Sequence, residues 1–116
     1  MRYRFLRFPE GKLKAVTFSY DDGCRADIQL AEIFNKYGIK GTFNINYGQM
    51  DIDQTGLAHP RLRKDQVKDL YQGHEIATHT MTHPTIARCP LVGAAEEILE
   101  AGAEYEDVVA LGGLIN

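Results

Sequence analysis

The stretch TFSYDDG, residues 17–23, runs β-favouring residues straight into two adjacent carboxylates and a glycine. Asp21 and Asp22 repel each other, and neither suits a strand interior. A second polar group follows at EIATHTMTHP, residues 75–84, where His79 and His83 stand at i and i+4. Two neutral imidazole nitrogens and one carboxylate form a common ligand set for zinc, with a fourth position left open. Adjacent residues at a strand end point in different directions, and Gly23 lets the chain turn there. One aspartate can therefore face a metal while the other faces its water, whose pKa the metal lowers. A cation would also relieve the repulsion within the pair. Alone, DDG is a frequent turn and a His-x-x-x-His pair is frequent surface decoration. Their joint appearance at strand ends within one repeating pattern is far rarer by chance.

That pattern is strand, helix, strand, helix, strand, helix. Lys14–Tyr20 is a β-rich run expected to be a buried strand. The segment 26–38 is expected to be a helix with Asp27 as N-cap, and with Ile28, Ala31, Phe34 and Tyr37 on its apolar face. Gly38 occupies the stop position, and Ile39 supplies the contact that often follows it. Lys40–Asn46 predicts a second strand with Phe43 and Ile45 alternating against Asn44 and Asn46. Those asparagines either line a pocket or simply close the strand. Residues 47–60 read as a loop. Residues 63–73 predict a helix with Val67, Leu70 and Tyr71 inward, and Glu75–His79 a third strand. Residues 91–111 predict a last helix, with Ala95, Ile98, Leu99 and Val109 as core positions. Pro84 disfavours a helix through the histidines, so a loop is expected to present them. Alternating strands and helices imply an α/β fold with a parallel sheet, and reactive groups collect beyond the carboxyl ends of its strands.

Bulk properties narrow the function further. With 116 residues, 44% hydrophobic and 25% charged, the chain has the composition of a globular domain large enough to bury a core. A formal charge of −3 and a pI near 5.8 give no footprint for nucleic acid. No segment approaches the roughly 18 apolar residues of a membrane helix. Arginines break every apolar run near Met1, so no export signal is visible and a cytoplasmic location is expected. Cys24 and Cys89 lack metal-type spacing and read as free thiols; an adventitious metal contact by Cys24 is the lesser alternative.

TFSYDDG and GHEIATHTMTHP resemble the first two signature motifs of the polysaccharide deacetylases, and the similarity extends through the intervening LAEIFNKYGIKGTFNINYG. The resemblance implies a distorted (β/α) barrel, of which this chain would supply the first three βα units in truncated form. It implies removal of acetyl groups from N-acetylated carbohydrates, with Asp21 as catalytic base. Asp22, His79 and His83 would bind a divalent metal, usually zinc, with cobalt or nickel also accepted. Thr17 and Thr80 match supporting motif positions, His74 reads as structural, and His59 has no assigned role. The family's later motifs, Arg-x-Pro-Tyr, an Asp/Trp segment and Leu-x-His, have no counterpart: the chain contains no Trp, and no His after His83. Without their oxyanion donor and general acid, impaired activity is expected. The alternative is an inactive metal-binding fragment, or a half that assembles with another chain, a second copy covering the open barrel edge. An N-acetylated saccharide or a small amide is the expected substrate.

Overall fold

The computed structural model describes residues 6–110, and side chains through 106. Its centre is β2, Thr42–Ile45, flanked by β1, Ser19–Asp21, and β3, Glu75–Thr78, in a parallel sheet of order β1-β2-β3. Tyr20 aligns with Phe43 and Phe43 with Ile76, so these side chains share one sheet face. Asp21, Asn44 and Ala77 align on the other face. Helices α1, Asp27–Tyr37, and α2, Lys64–Leu70, supply the crossovers, and α3, Leu91–Ala110, follows β3. The expected parallel α/β arrangement is the one observed.

The core lies between the sheet and the helices. Phe34 of α1, Phe43 and Ile45 of β2, Val67 of α2, Tyr71 and Ile76 form one buried cluster. The Phe43 and Tyr71 rings pack at 4.4 Å between centroids, tilted by 31°. β2 buries Phe43 and Ile45 in this cluster on one face and carries Thr42 and Asn44, half-buried, on the other. Gly38 ends α1 in the left-handed region at φ 67°, and the Ile39 amide donates to the Phe34 carbonyl. This is the stop expected from the sequence.

Several expectations are corrected. The first strand is only Ser19–Asp21, and all three residues are exposed. Leu13 and Val16 are 73% and 77% exposed, because among the described residues no neighbouring strand lies beyond β1 to pair or cover that run. Asp27 is the first residue of α1 rather than its N-cap, which is Ala26. Its carboxylate is buried and accepts a 2.5 Å hydrogen bond from the Tyr71 hydroxyl. Ile28 and Tyr37 face outward, leaving Ala31 and Phe34 as the buried face of α1. The second helix is shorter than expected, beginning at Lys64, with the Gln66 side chain reaching back to the Arg63 amide. Within the expected loop, Tyr47–Gln49 forms a 3-10 turn, and Tyr47 and Met50 belong to the core. In α3 the expected core positions Ala95, Ile98 and Leu99 are exposed; Ala101 is buried and Tyr105 packs on the core instead. The periodicity of α3 supports two apolar stripes, and it is the one with the smaller residue, Ala101, that meets the sheet layer. The side chain of Val109 lies outside the described residues.

His74 ties three elements together. Its Nδ1 accepts from the Gly41 amide at 3.2 Å, so Nε2 carries the proton and donates to Asn35 Oδ1 at 3.0 Å. Burial, aided by Lys40, holds the imidazole pKa below its usual value. The unfolded chain therefore takes up the proton first as pH falls. The stability that His74 contributes is complete above about pH 6.5 and declines as pH drops from there toward the lowered folded value. Urea unfolding midpoints are expected to fall between pH 7 and 5. In His74→Leu the midpoint at pH 7 should drop, by about 1–3 kcal/mol of stability for the stranded amide, and the pH dependence should flatten. An unchanged pH dependence in the variant would show that His74 does not carry this titration.

Candidate metal centre and active site

The carboxyl ends of all three strands meet one short loop. β1 ends in Asp21, and the ladder continues one residue further, since the Asp22 amide donates to the Asn44 carbonyl at 2.8 Å. Asp22 then adopts φ 81° and Gly23 φ 64°. This left-handed turn sends the Asp22 side chain away from the direction of Asp21. For a non-glycine residue it costs roughly 1–2 kcal/mol, least for Asp and Asn. Gly23 has no such penalty, and its small size matters as well. A Cβ there would stand 2.7 Å from the Met50 methyl and 3.5 Å from Ile45.

The loop after β3 carries both histidines without forming a helix, as Pro84 led us to expect. Thr80 and His83 are both left-handed, at φ 64° and 61°. The loop is fastened to β2 and the turn that follows it. The fully buried Asn46 donates from Nδ2 to the carbonyls of His79 and Thr80. The Gly48 amide donates to the Met81 carbonyl at 3.0 Å, and Gln49 Nε2 to the Thr82 carbonyl at 3.1 Å. Thr80 Oγ1 accepts from the His83 amide at 3.2 Å.

These turns bring Asp22, His79 and His83 together, with ligand-type atoms of the three within 4.8 Å of one another. Asp22 Oδ1 lies 3.9 Å from His79 Nε2 and 3.7 Å from His83 Nε2. Both gaps are too long for hydrogen bonds, and this buried oxygen has no hydrogen-bond partner. A buried carboxylate oxygen left bare in this way is costly. Two ligands on a tetrahedral zinc stand about 3.4 Å apart, given bonds of about 2.1 Å. The donor set, its spacing and the bare oxygen all fit a divalent cation.

Asp21 is outside this trio. It is exposed on the polar sheet face, where its Oδ1 accepts from Asn44 Nδ2 at 2.8 Å. The same amide reaches Ser19 Oγ at 2.9 Å. Of the two asparagines, Asn44 thus holds Asp21 and Asn46 holds the histidine loop. Arg61 is a participant that the motifs did not reveal. Its Nη2 lies 3.4 Å from Asp22 Oδ2, while Nη1 donates to Cys24 Sγ at 3.1 Å and to the His59 carbonyl at 2.9 Å. Oδ2 is thereby engaged and Oδ1 is turned to the histidines. Arg61 follows a loop and belongs to no local pattern, so only tertiary packing could expose it. Cys24 is a free thiol, as is Cys89. Burial pushes the Cys24 thiol above its usual pKa, against the lowering effect of Arg61, and its sulfur is not in the ligand cluster.

Three parallel strands alternating with helices are the pattern of a (β/α) barrel. Residues 3–110 match the polysaccharide deacetylase family, and the chain belongs to it. A chitooligosaccharide deacetylase from Bradyrhizobium sp. (strain ANU 289) is 30% identical over 92 residues, covering 76% of this chain and 37% of that protein. The Streptococcus pyogenes deacetylase PplD, solved in complex with acetate, superposes with a TM-score of 0.74 at 22% identity. That match covers 93% of this chain and 46% of PplD. IcaB from Ammonifex degensii gives a TM-score of 0.67 at 18% identity over 94% of this chain and 56% of its own. The chain therefore spans between about a third and just over half of these relatives, and it shares their fold. Among the described residues no helix is long and apolar enough to cross a membrane.

The Asp22 turn gives a direct test of local strain. Gly23→Ala should lower stability by about 2–4 kcal/mol, from the left-handed backbone and the overlap with Met50. Denaturant titration measures it; a change below about 0.5 kcal/mol would mean the turn relaxes freely.

Proposed function

We propose that this chain carries the metal-binding and general-base side of a site that removes acetyl groups from N-acetylated carbohydrates. The observation that supports this most is the buried, unpartnered Oδ1 of Asp22, faced by His79 Nε2 and His83 Nε2. Asp22, His79 and His83 would hold the cation, with zinc the best match to the donor set and cobalt or nickel as substitutes. When bound, such a cation supplies Lewis acidity to an acetyl carbonyl and lowers the pKa of water.

The protein's own groups do the rest. Asp21, the last residue of β1 and the sequence neighbour of Asp22, accepts the proton of the attacking water. Asn44 orients it through Oδ1, so the carboxylate stays aimed from the end of β1. The water oxygen bonds to the acetyl carbon, Asp21 passes the proton it accepted to the nitrogen, the C–N bond breaks, and amine and acetate are released. Asp22 engages Arg61 through its other oxygen and is not free to serve as base. The two aspartates thus have separate tasks, set by the turn between them.

A second reading has its own support. The residues brought together supply a ligand trio and a base, and among the described residues no separate acid for the leaving amine is placed with them. On that reading it is a metal-binding unit with slow or no turnover. Both are decided by zinc content and by acetate release from N-acetylglucosamine oligomers. The unaltered chain is expected to bind one zinc, and Asp22→Asn and His79→Ala to lose it. Asp21→Asn should keep the metal and lose turnover by about 10²–10⁴. Metal retention by Asp22→Asn would sink the ligand assignment. Stoichiometric zinc with no acetate release would select the second reading.

A further inference from the structure

The histidine loop has a second set of ties, from α3. In α3, Glu97 Oε2 accepts from the Met81 and Thr82 amides, each at 2.9 Å, and Oε1 accepts from the Thr82 hydroxyl at 2.5 Å. Two successive backbone N–H groups that converge after a left-handed residue form a small anion-binding concavity. Here the left-handed residue is Thr80, and the anion is supplied by the protein itself. The Thr82 hydrogen bonds hold the Glu97 carboxyl below the usual carboxylate range, so it stays charged and the bonds are charge-assisted.

The loop is therefore gripped from both sides. Its carbonyls at 79, 80, 81 and 82 are taken by Asn46, Gly48 and Gln49. Its amides at 81 and 82 are taken by Glu97. Thr80 and His83, both left-handed, bracket the two amides that Glu97 holds, and loops of this kind persist only where the surroundings over-determine them. We propose that Glu97 is a positioning residue for His79 and His83, fixing the loop backbone so that both imidazoles converge on Asp22 Oδ1. The inference rests on the metal reading above, and nothing in the two deacetylase motifs points to α3.

The test is the dissociation constant for Co²⁺ and Zn²⁺, measured by chelator competition on folded protein, with the Co²⁺ absorption spectrum reporting ligand geometry. Glu97→Ala is expected to weaken binding by about tenfold or more, the scale typical of outer-sphere partners of metal ligands, and to alter the Co²⁺ spectrum. Glu97→Gln keeps an acceptor for both amides without the charge, and should bind within about threefold of the parent. Folded Glu97→Ala with parental affinity and spectrum would overturn the proposal. So would Glu97→Gln as weak as Glu97→Ala, since distant charge rather than position would then be the cause. If Glu97→Ala fails to fold, Glu97→Asp, shorter by one methylene, takes its place against Glu97→Gln under the same criteria. His79→Ala separates the two claims. If the parent binds no metal, or His79→Ala binds as well as the parent, the metal reading itself fails and takes this inference with it.

Discussion

The site depends on the register of β2 between its two neighbours. β2 is the only described strand with partners on both edges, and Phe43 and Ile45 lock one of its faces into the core. A slip by one residue would drive Asn44 and Asn46 into that core and turn the phenylalanine outward, which burial forbids. Once the register is set, Asn44 must lie beside Asp21, and Asn46 must lie beneath the histidine loop. Hydrophobic packing on one side of the strand thus places polar chemistry on the other.

The two aspartates differ because the backbone changes hand between them. Asp21 is still strand and takes its orientation from the pleat, whereas Asp22 is left-handed and takes its from the turn. Arg61 then engages one Asp22 oxygen and leaves the other bare and buried. An uncompensated carboxylate oxygen beside two imidazoles is a poor arrangement for stability and a good one for a cation. That contrast separates the trio from ordinary surface charge, for which solvent would supply the missing partner.

Much of the layout was legible in the sequence, and its limits were physical. Alternation in Lys40–Asn46 and the stop at Gly38–Ile39 are local signals, and both elements appear where expected. That one of the two aspartates would meet His79 and His83 was legible because strand ends gather in a parallel sheet, whereas the choice of Asp22 came from the motif resemblance. The first strand was overextended because β-propensity cannot say whether a partner strand exists beyond Ser19. Asp27 carried a capping residue type, but its hydrogen bond went to Tyr71, a long-range partner that no local rule supplies. In α3, Ile98 and Leu99 looked like core yet are 58% and 72% exposed, while Ala101 does the packing. Arg61 and Glu97 were invisible for the same reason: their importance lies in contacts with loops distant in sequence.

The left-handed residues have a consequence for how such a chain changes over generations. Asp22, Thr80 and His83 occupy conformations in which glycine would be more comfortable than the side chains present. Selection for folding alone would therefore favour erosion at these three positions before any core position, and the eroded proteins would be sturdier than their ancestor. On the proposed function, a lineage that keeps aspartate, threonine and histidine there reports that the chemistry is still in use. One that has traded them for glycine or asparagine has kept the scaffold and given up the site.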